Sequence, residues 1–347
     1  MKLGNVLLIA RFIAIIIVLW LIDFEKLAII LRSINFNLIA LAFLLELAGF
    51  VVWTVKWKFL VDKLEKIRFT TLFLGLMGGN CLNTNVLRAR TFGGFGRAMF
   101  LRNVTQSRKH ANWYATIVMD QTSNGFVFSF PVIFSLLFVF LFLNVPWWLS
   151  VIMETIVLII FLLAFTAFLL RRKFDKTRVV RLFYSNLERI YNFSLFTFIR
   201  NRFDTYNKFE ELIELSLEEF AKTSKSILKD RKILARDLAL SAFMFAFIYS
   251  KAYVLFQSLG FHISISHLIV SLSLILWINS ILPVPGGFGA KELVMISIYA
   301  MVGIPLTIAA IVSLIDRAIY MFFVIIISYL AIIFMRLFHI GERRCSE

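Results

Sequence analysis

The chain has 347 residues, 60% of them hydrophobic, with 39 Phe and only 5 Pro. A water-soluble core of this size does not need so much apolar side chain, and several apolar runs reach the roughly 20 residues that cross a hydrocarbon layer about 30 Å thick. The runs do not alternate, which argues against a β-barrel, and the formal charge of +16 lies where a membrane protein keeps its loops, which argues against a nucleic-acid partner.

The expected class is an all-α polytopic membrane protein: one membrane domain over 1–347, with about six full transmembrane helices and two re-entrant helical hairpins. Residues 5–22 read as a first span, retained and not a cleaved signal, since no small-residue cleavage site follows. Residues 23–32 follow as an interfacial turn or short helix. Residues 36–57 read as a second span, and its basic end (Lys56, Lys58, Lys63, Lys66, Arg68) points to the cytoplasm under the positive-inside rule. Residues 70–82 are apolar but only about 13 long, or roughly 20 Å of helix. The break Asn83-Thr84-Asn85, the motif Gly93-Gly94-Phe95-Gly96 and a short helix near 95–102 follow. Two half-length helices with basic outer ends suggest a re-entrant hairpin over 70–102, which survives at membrane depth only where protein or water covers its backbone.

Residues 112–143 read as a long outward span, ending at Pro146, Trp147 and Trp148, where tryptophan suits an interface. Residues 149–170 return to the cytoplasm. From Arg171 to Arg236 there are 16 Lys/Arg against 9 Asp/Glu, a net +7, and 205–229 has an amphipathic pattern through Phe209, Leu212, Ile213, Leu215 and Phe220. That segment is expected to be a cytoplasmic loop carrying a surface helix that faces anionic lipid. Residues 237–259 go outward, 264–282 and 290–302 form a second short pair, and 305–335 return as the final span. Both chain termini are therefore expected in the cytoplasm of a multi-pass cell-membrane protein.

The motif Gly-Gly-Phe-Gly recurs at 286–289. The region 36–143 and the region 237–335 each run through a span, a short helix, an Asn-containing break, this motif, a second short helix and a long span. Polar pairs sit at similar depth in the long spans, Asp120-Gln121 and Asp316-Arg317. With the hairpins 70–102 and 264–302 entering from opposite sides, the arrangement is expected to be an inverted repeat whose broken helices meet near the midplane. Glycine permits a tight break and close backbone approach. A helix starting after it presents unpaired N–H groups and a positive dipole end, which suit phosphate. Tight packing of two half-helices is the plain alternative, and snorkelling to the interface is the alternative for each base.

"NSILPVPGGFGAKELVMISIYAMVGIP", residues 279–305, resembles the C-terminal signature of a flippase-like integral membrane family related to the lysylphosphatidylglycerol synthase transmembrane region. The matching positions are Leu282, Pro283, Pro285, Gly286, Gly287, Gly289 and Glu292, with Arg317 in the last span. "ARTFGGFGRAMFL", residues 89–101, is similar to the first signature, with Phe95 where an acidic residue is usual and with Asp120-Gln121 and Asn124 where Glu-Arg and a later Asp are common. The resemblance implies a stand-alone translocation module without lipid-aminoacylating activity.

The expected function is a flippase or transporter for a phosphate-bearing lipid, an aminoacyl-phospholipid or a polyprenyl-phosphate-linked sugar; the alternative is a membrane-embedded lipid-linked transferase. An enzyme is disfavoured because Glu46, Asp120, Glu154, Glu292 and Asp316 show no ligand or nucleophile pairing. Glu46 and Glu154 read as isolated helix-packing contacts. Candidate headgroup residues are Arg90, Gly93, Gly94, Arg97, Asp120, Pro283, Gly286, Gly287, Gly289, Lys291, Glu292, Asp316 and Arg317. Arg317 at mid-depth needs a partner, and Glu292 is the one expected, with Asp316 as competitor. Cys81, Cys345 and the four His give no disulfide or metal spacing, so no catalytic residue, metal or cofactor is expected. The expected partners are an anionic-headgroup lipid and an anionic membrane surface; association with further copies of the chain is left open.

Overall fold

The computed structural model describes residues 34–85, 91–105, 110–142, 206–281, 289–330 and 333. Among them every regular element is helical. In chain order these are α1 (Phe36–Val61), α2 (Phe69–Asn85), α3 (Thr91–Thr105), α4 (His110–Phe142), α5 (Tyr206–Lys229), α6 (Arg231–Ser258), α7 (Ile265–Ile281), α8 (Ala290–Met301) and α9 (Leu306–Phe322). A π-helical stretch, Phe323–Ile327, continues α9. The described residues contain four helices long and apolar enough to cross a membrane: α1, α4, α6, and α9 with its continuation to Leu330. The other two expected spans, 5–22 and 149–170, lie outside the described residues, as do the Pro146 turn and most of the 171–236 loop.

Among the described residues, charged side chains lie in the interior and many large apolar ones face outward. Lys56, Asp120, Arg97, Lys251, Glu46 and Glu292 are buried, while Phe126, Phe130, Ile133, Phe134, Leu137, Phe140 and Leu141 along α4 are exposed. Such a surface suits lipid, which solvates apolar side chains and cannot solvate charges.

The most extensive helix contact joins α1 and α6, which run antiparallel. At one end the Asn35 N–H donates to the Ser258 carbonyl, at 3.0 Å. At the other, Lys63 donates to the Ser226 carbonyl at 2.6 Å and lies 3.4 Å from Asp230. Local chemistry sets these ends. The Asn35 side chain caps α1 through the Asn37 and Leu38 N–H groups, and the Asp230 side chain caps α6 through the Ile233 N–H at 3.2 Å.

α2 packs on α3, and α7 on α8. At 17, 15, 17 and 12 residues, these helices span roughly 18–26 Å at 1.5 Å per residue, short of the hydrocarbon thickness. α2 also packs on the continuation of α9, where the Ser328 hydroxyl donates to the Met77 carbonyl at 2.8 Å. α7 packs on α4, where the Ser135 hydroxyl lies 3.5 Å from the Ile269 carbonyl.

The first Gly-Gly-Phe-Gly corrects an expectation. α3 begins at Thr91, so Gly93 to Gly96 lie inside its opening turns, and Asn83 to Asn85 are the last turn of α2 rather than a break. The glycines serve packing here. A Cβ on Gly79 would sit 2.6 Å from Arg97 Cγ and 2.7 Å from the Gly93 carbonyl oxygen, and one on Gly96 would strike Leu82. Of the second copy, Gly289 lies among the described residues; it has φ +85° and immediately precedes α8, as expected for a helix that starts after the motif.

The amphipathic helix α5 forms as expected over 206–229 and packs on α4. Phe220 lies against Tyr114, Thr223 donates to Asn112 at 2.8 Å, and Ile227 is buried. Leu215, Leu217 and Leu228 remain exposed.

Gly79→Ala should destabilise the protein by about 1–3 kcal/mol through overpacking against backbone. Gly78→Ala, with nothing within 4 Å of the added Cβ, should be close to neutral; thermal unfolding in detergent compares the two. Acid should also loosen the α5–α6 corner. The Ile233 N–H first, and Lys63 after it, hold the Asp230 carboxyl below the usual carboxylate range, against a smaller opposing effect of burial. A carboxyl with a depressed folded value stabilises fully above its unfolded value, and loses that contribution as pH falls through the folded one. Asp230→Asn keeps a capping oxygen and removes the charge, so its unfolding curve should respond less to pH below about 4.

Candidate functional site

Lys56 sits in the last third of α1 with no exposed side-chain surface. Its ammonium has three donors to satisfy, and α4 meets all three: the Asp120 carbonyl at 2.7 Å, Asp120 Oδ1 at 2.9 Å and Asn124 Oδ1 at 2.7 Å. Asp237 of α6 lies 3.6 Å away and accepts a hydrogen bond from the Ser123 hydroxyl of α4. The second oxygen of Asp120 takes the Trp53 indole N–H at 3.0 Å and Arg97 of α3 at 3.4 Å. The Arg97 guanidinium lies over the Trp53 and Trp57 rings, 5.5 and 5.2 Å from their centroids. Two cations and two carboxylates from α1, α3, α4 and α6 thus form one balanced set.

A second set lies farther along the antiparallel pair. Lys251 of α6 is 2.8 Å from Glu46 of α1 and 2.6 Å from Asp316 of α9. Beside it, Arg317 Nε of α9 is 3.2 Å from Glu292 Oε1 of α8, and the guanidinium lies 5.4 Å from the Tyr320 ring centroid. The Arg317–Glu292 approach lacks the alignment of a hydrogen bond. Among the described residues neither Glu292 oxygen accepts one, although the residue is buried.

These contacts bring together the expected pair Glu292–Arg317, correct three expectations and remove one alternative. Asp316 does not compete for Arg317; it takes Lys251. Glu46 is no isolated packing residue, because it shares that lysine. Lys56 does not belong to the cytoplasmic basic end, because it is fully buried. Arg97 does not snorkel; it is buried against Asp120. Gly93 and Gly94 are buried in the first turns of α3, and Lys291 is half-buried in the first turn of α8. Arg90, Pro283, Gly286 and Gly287 lie outside the described residues.

Sequence reading missed Lys251 and Asp237 altogether. A signal was present for Lys251, a charge within the apolar stretch of α6, flanked as Tyr249-Ser250-Lys251-Ala252, where a charge is costly without a partner; Asp237 lies nearer the basic start of that helix, as Arg236-Asp237-Leu238. A groove of about 240 Å³ opens beside the first set, lined mainly by Leu60, Met119, Phe126, Leu234 and Leu238, with Ser123 and Asp237 on its wall. Among the described residues no group of three or more His, Cys, Asp or Glu is placed to hold a metal ion.

A family model described as the lysylphosphatidylglycerol synthase TM region matches residues 7–328. The chain is 24% identical over 311 residues to a UPF0104 membrane protein of Pyrococcus horikoshii, covering 88% of this chain and 89% of that one. It is 26% identical over 339 residues to a UPF0104 membrane protein of Methanocaldococcus jannaschii, covering 96% and 95%. A UPF0104 membrane protein of Methanothermobacter thermautotrophicus is 22% identical over 317 residues, covering 91% and 90%. No solved structure matches at the same level of significance.

Removing one member of a buried ion pair strands the other. Arg317→Met should therefore cost on the order of 3–5 kcal/mol, and adding Glu292→Gln should recover much of that loss. Thermal unfolding of the two single variants and the double measures the coupling; strictly additive losses would show that the two side chains are not partners.

Proposed function

Because the chain belongs to the family of the lysylphosphatidylglycerol synthase TM region, we propose that it is a flippase or transporter that moves a phosphate-bearing lipid across the membrane. The lipid is an aminoacyl-phospholipid or a polyprenyl-phosphate-linked sugar. The observation that carries the reading is the start of α8. Gly289, at φ +85°, turns the chain into a helix whose first turn holds Lys291 and the buried Glu292, packed against the Arg317-bearing span. A helix N-terminus with its positive dipole end, and a lysine in the first turn, make a combination suited to a phosphate headgroup.

The inverted-repeat reading supports the same function. The two short-helix pairs pack reciprocally, α2 on the end of α9 and α7 on α4, each through a serine hydroxyl and a helix carbonyl. A shift of 193 residues, the spacing between Gly93 and Gly286, carries Ser135 onto Ser328. In this reading the short pairs are re-entrant hairpins entering from opposite faces, with both termini cytoplasmic, and the midplane between them is the headgroup site. Arg97 and Asp120 hold the first hairpin to α1 and α4. The headgroup therefore engages the second hairpin, Lys291 foremost, and the apolar groove beside Ser123 offers an acyl chain a lateral position. The transferase reading has no comparable observation in its favour.

Purified protein in liposomes with labelled phosphatidylglycerol, aminoacyl-phosphatidylglycerol and polyprenyl phosphate should speed transbilayer movement of at least one. Lys291→Met should lower that rate roughly tenfold, the worth of one charge-assisted hydrogen bond, while Arg171→Met and Arg172→Met leave it nearly unchanged. Folded protein that moves none of these lipids, or equal losses at all three positions, would overturn the reading.

A further inference from the structure

The two lysine-centred sets differ in charge. Lys56 and Arg97 balance Asp120 and Asp237, whereas Lys251 alone faces two carboxylates, Glu46 and Asp316. Among the described residues the other polar groups around Lys251 do not redress this. Arg317 of α9 is directed to Glu292 of α8. Tyr249, on the same helix as Lys251, is bonded to Ser273 of α7 at 2.6 Å. Tyr299 of α8 is buried and carries no positive charge to offer, and α4 gives its carboxylate, Asp120, to the other set.

With all three groups ionised, the Glu46–Lys251–Asp316 set carries one net negative charge in surroundings that do not tolerate it. The smallest remedy is one proton. Two carboxylates on a single ammonium share it, so the proton belongs to the set and not to either acid. A metal ion is a poorer occupant, because the ammonium already lies between the carboxylates, at 2.8 and 2.6 Å. The set also has an open side: the Asp316 side chain is 22% exposed and that of Glu46 only 8%.

We propose that Glu46, Lys251 and Asp316 form the binding site of one exchangeable proton, and that its uptake and release couples lipid movement to a proton gradient. The proton enters at Asp316, adds to a carboxylate oxygen to give a neutral carboxylic acid, and leaves to water by the same bond. The set joins α1, α6 and α9, which belong to both halves of the repeat, so its protonation state bears on how the halves are held together. The coupling rests on the flippase reading above; the proton site does not.

Infrared difference spectroscopy on the full chain in phosphatidylglycerol-containing liposomes tests the site without reference to transport. At neutral pH the wild type should show a protonated buried carboxyl that Glu46→Gln and Asp316→Asn each remove, since either substitution leaves the lysine with a single acid. Lys251→Met should strengthen the signal, and Asp237→Asn should leave it unchanged; thermal unfolding confirms that each variant is folded. A wild type without such a signal, or a signal lost only in Asp237→Asn, would overturn the site. For the coupling, a one-unit pH difference at clamped zero potential should shift the steady distribution of labelled lipid by up to about tenfold for one proton, and a sodium gradient should not. Lipid that moves but ignores the pH difference overturns the coupling. A complete lack of movement overturns the flippase reading, and the infrared result still decides the proton site.

Discussion

A charge inside a hydrocarbon layer must be answered by another charge within reach, and most of this architecture follows from that requirement. α1 and α6 each carry an acid and a lysine, and they lie antiparallel. The pairings Asn35 with Ser258, Glu46 with Lys251, Lys56 with Asp237 and Lys63 with Asp230 advance along one helix as they recede along the other. A change in register that broke one lysine bridge would break the other. Each lysine then reaches a further span, Asp120 on α4 or Asp316 on α9, so the four longest apolar helices are tied at two points. Lipid supplies no hydrophobic drive for helix association. Here the polar ties and close glycine contacts select the arrangement, while the phenylalanines of α4 face outward.

The helices themselves were legible in the sequence, because apolar runs bounded by bases define spans whatever their neighbours. The pair Glu292–Arg317 was legible too, since an arginine at mid-span has few candidate acids. What could not be read was partnership between helices distant in sequence. Lys56 lies two residues from Lys58, which pairs with Asp62 at the helix end, and hydropathy assigns both to one basic flank. The helix turn separates them: one faces Asp120 in the interior and the other the periphery. The acids near Lys251 come from about 65 residues after it and about 205 before it, a distance that no local pattern spans.

The duplicated glycine motif shows how one string serves two physical ends. At Gly289, the end of the second copy, it supplies a backbone angle that other residues rarely adopt. At 93–96 it lies within a helix and supplies the absence of side chains, bringing α3 against the glycines of α2. Neighbouring sequence separates the two uses. Pro283 and Pro285 precede the second copy and discourage a helix there, while Arg90, Thr91 and Phe92 precede the first and do not.

The π-helical stretch at Phe323–Ile327 gives the final span a dependence of another kind. A wide turn accommodates about one residue more than an α-turn, and each residue of an α-helix turns the chain by about 100°. Every side chain beyond the stretch is therefore rotated from where an unbroken helix would place it, Ser328 and its bond to the Met77 carbonyl included. Shortening the stretch by one residue would change no chemical group on either face, yet it would swing that hydroxyl away from α2 and turn a neighbour toward it. Along this segment the number of residues, and not only their identity, specifies which surface the helix offers to the rest of the protein.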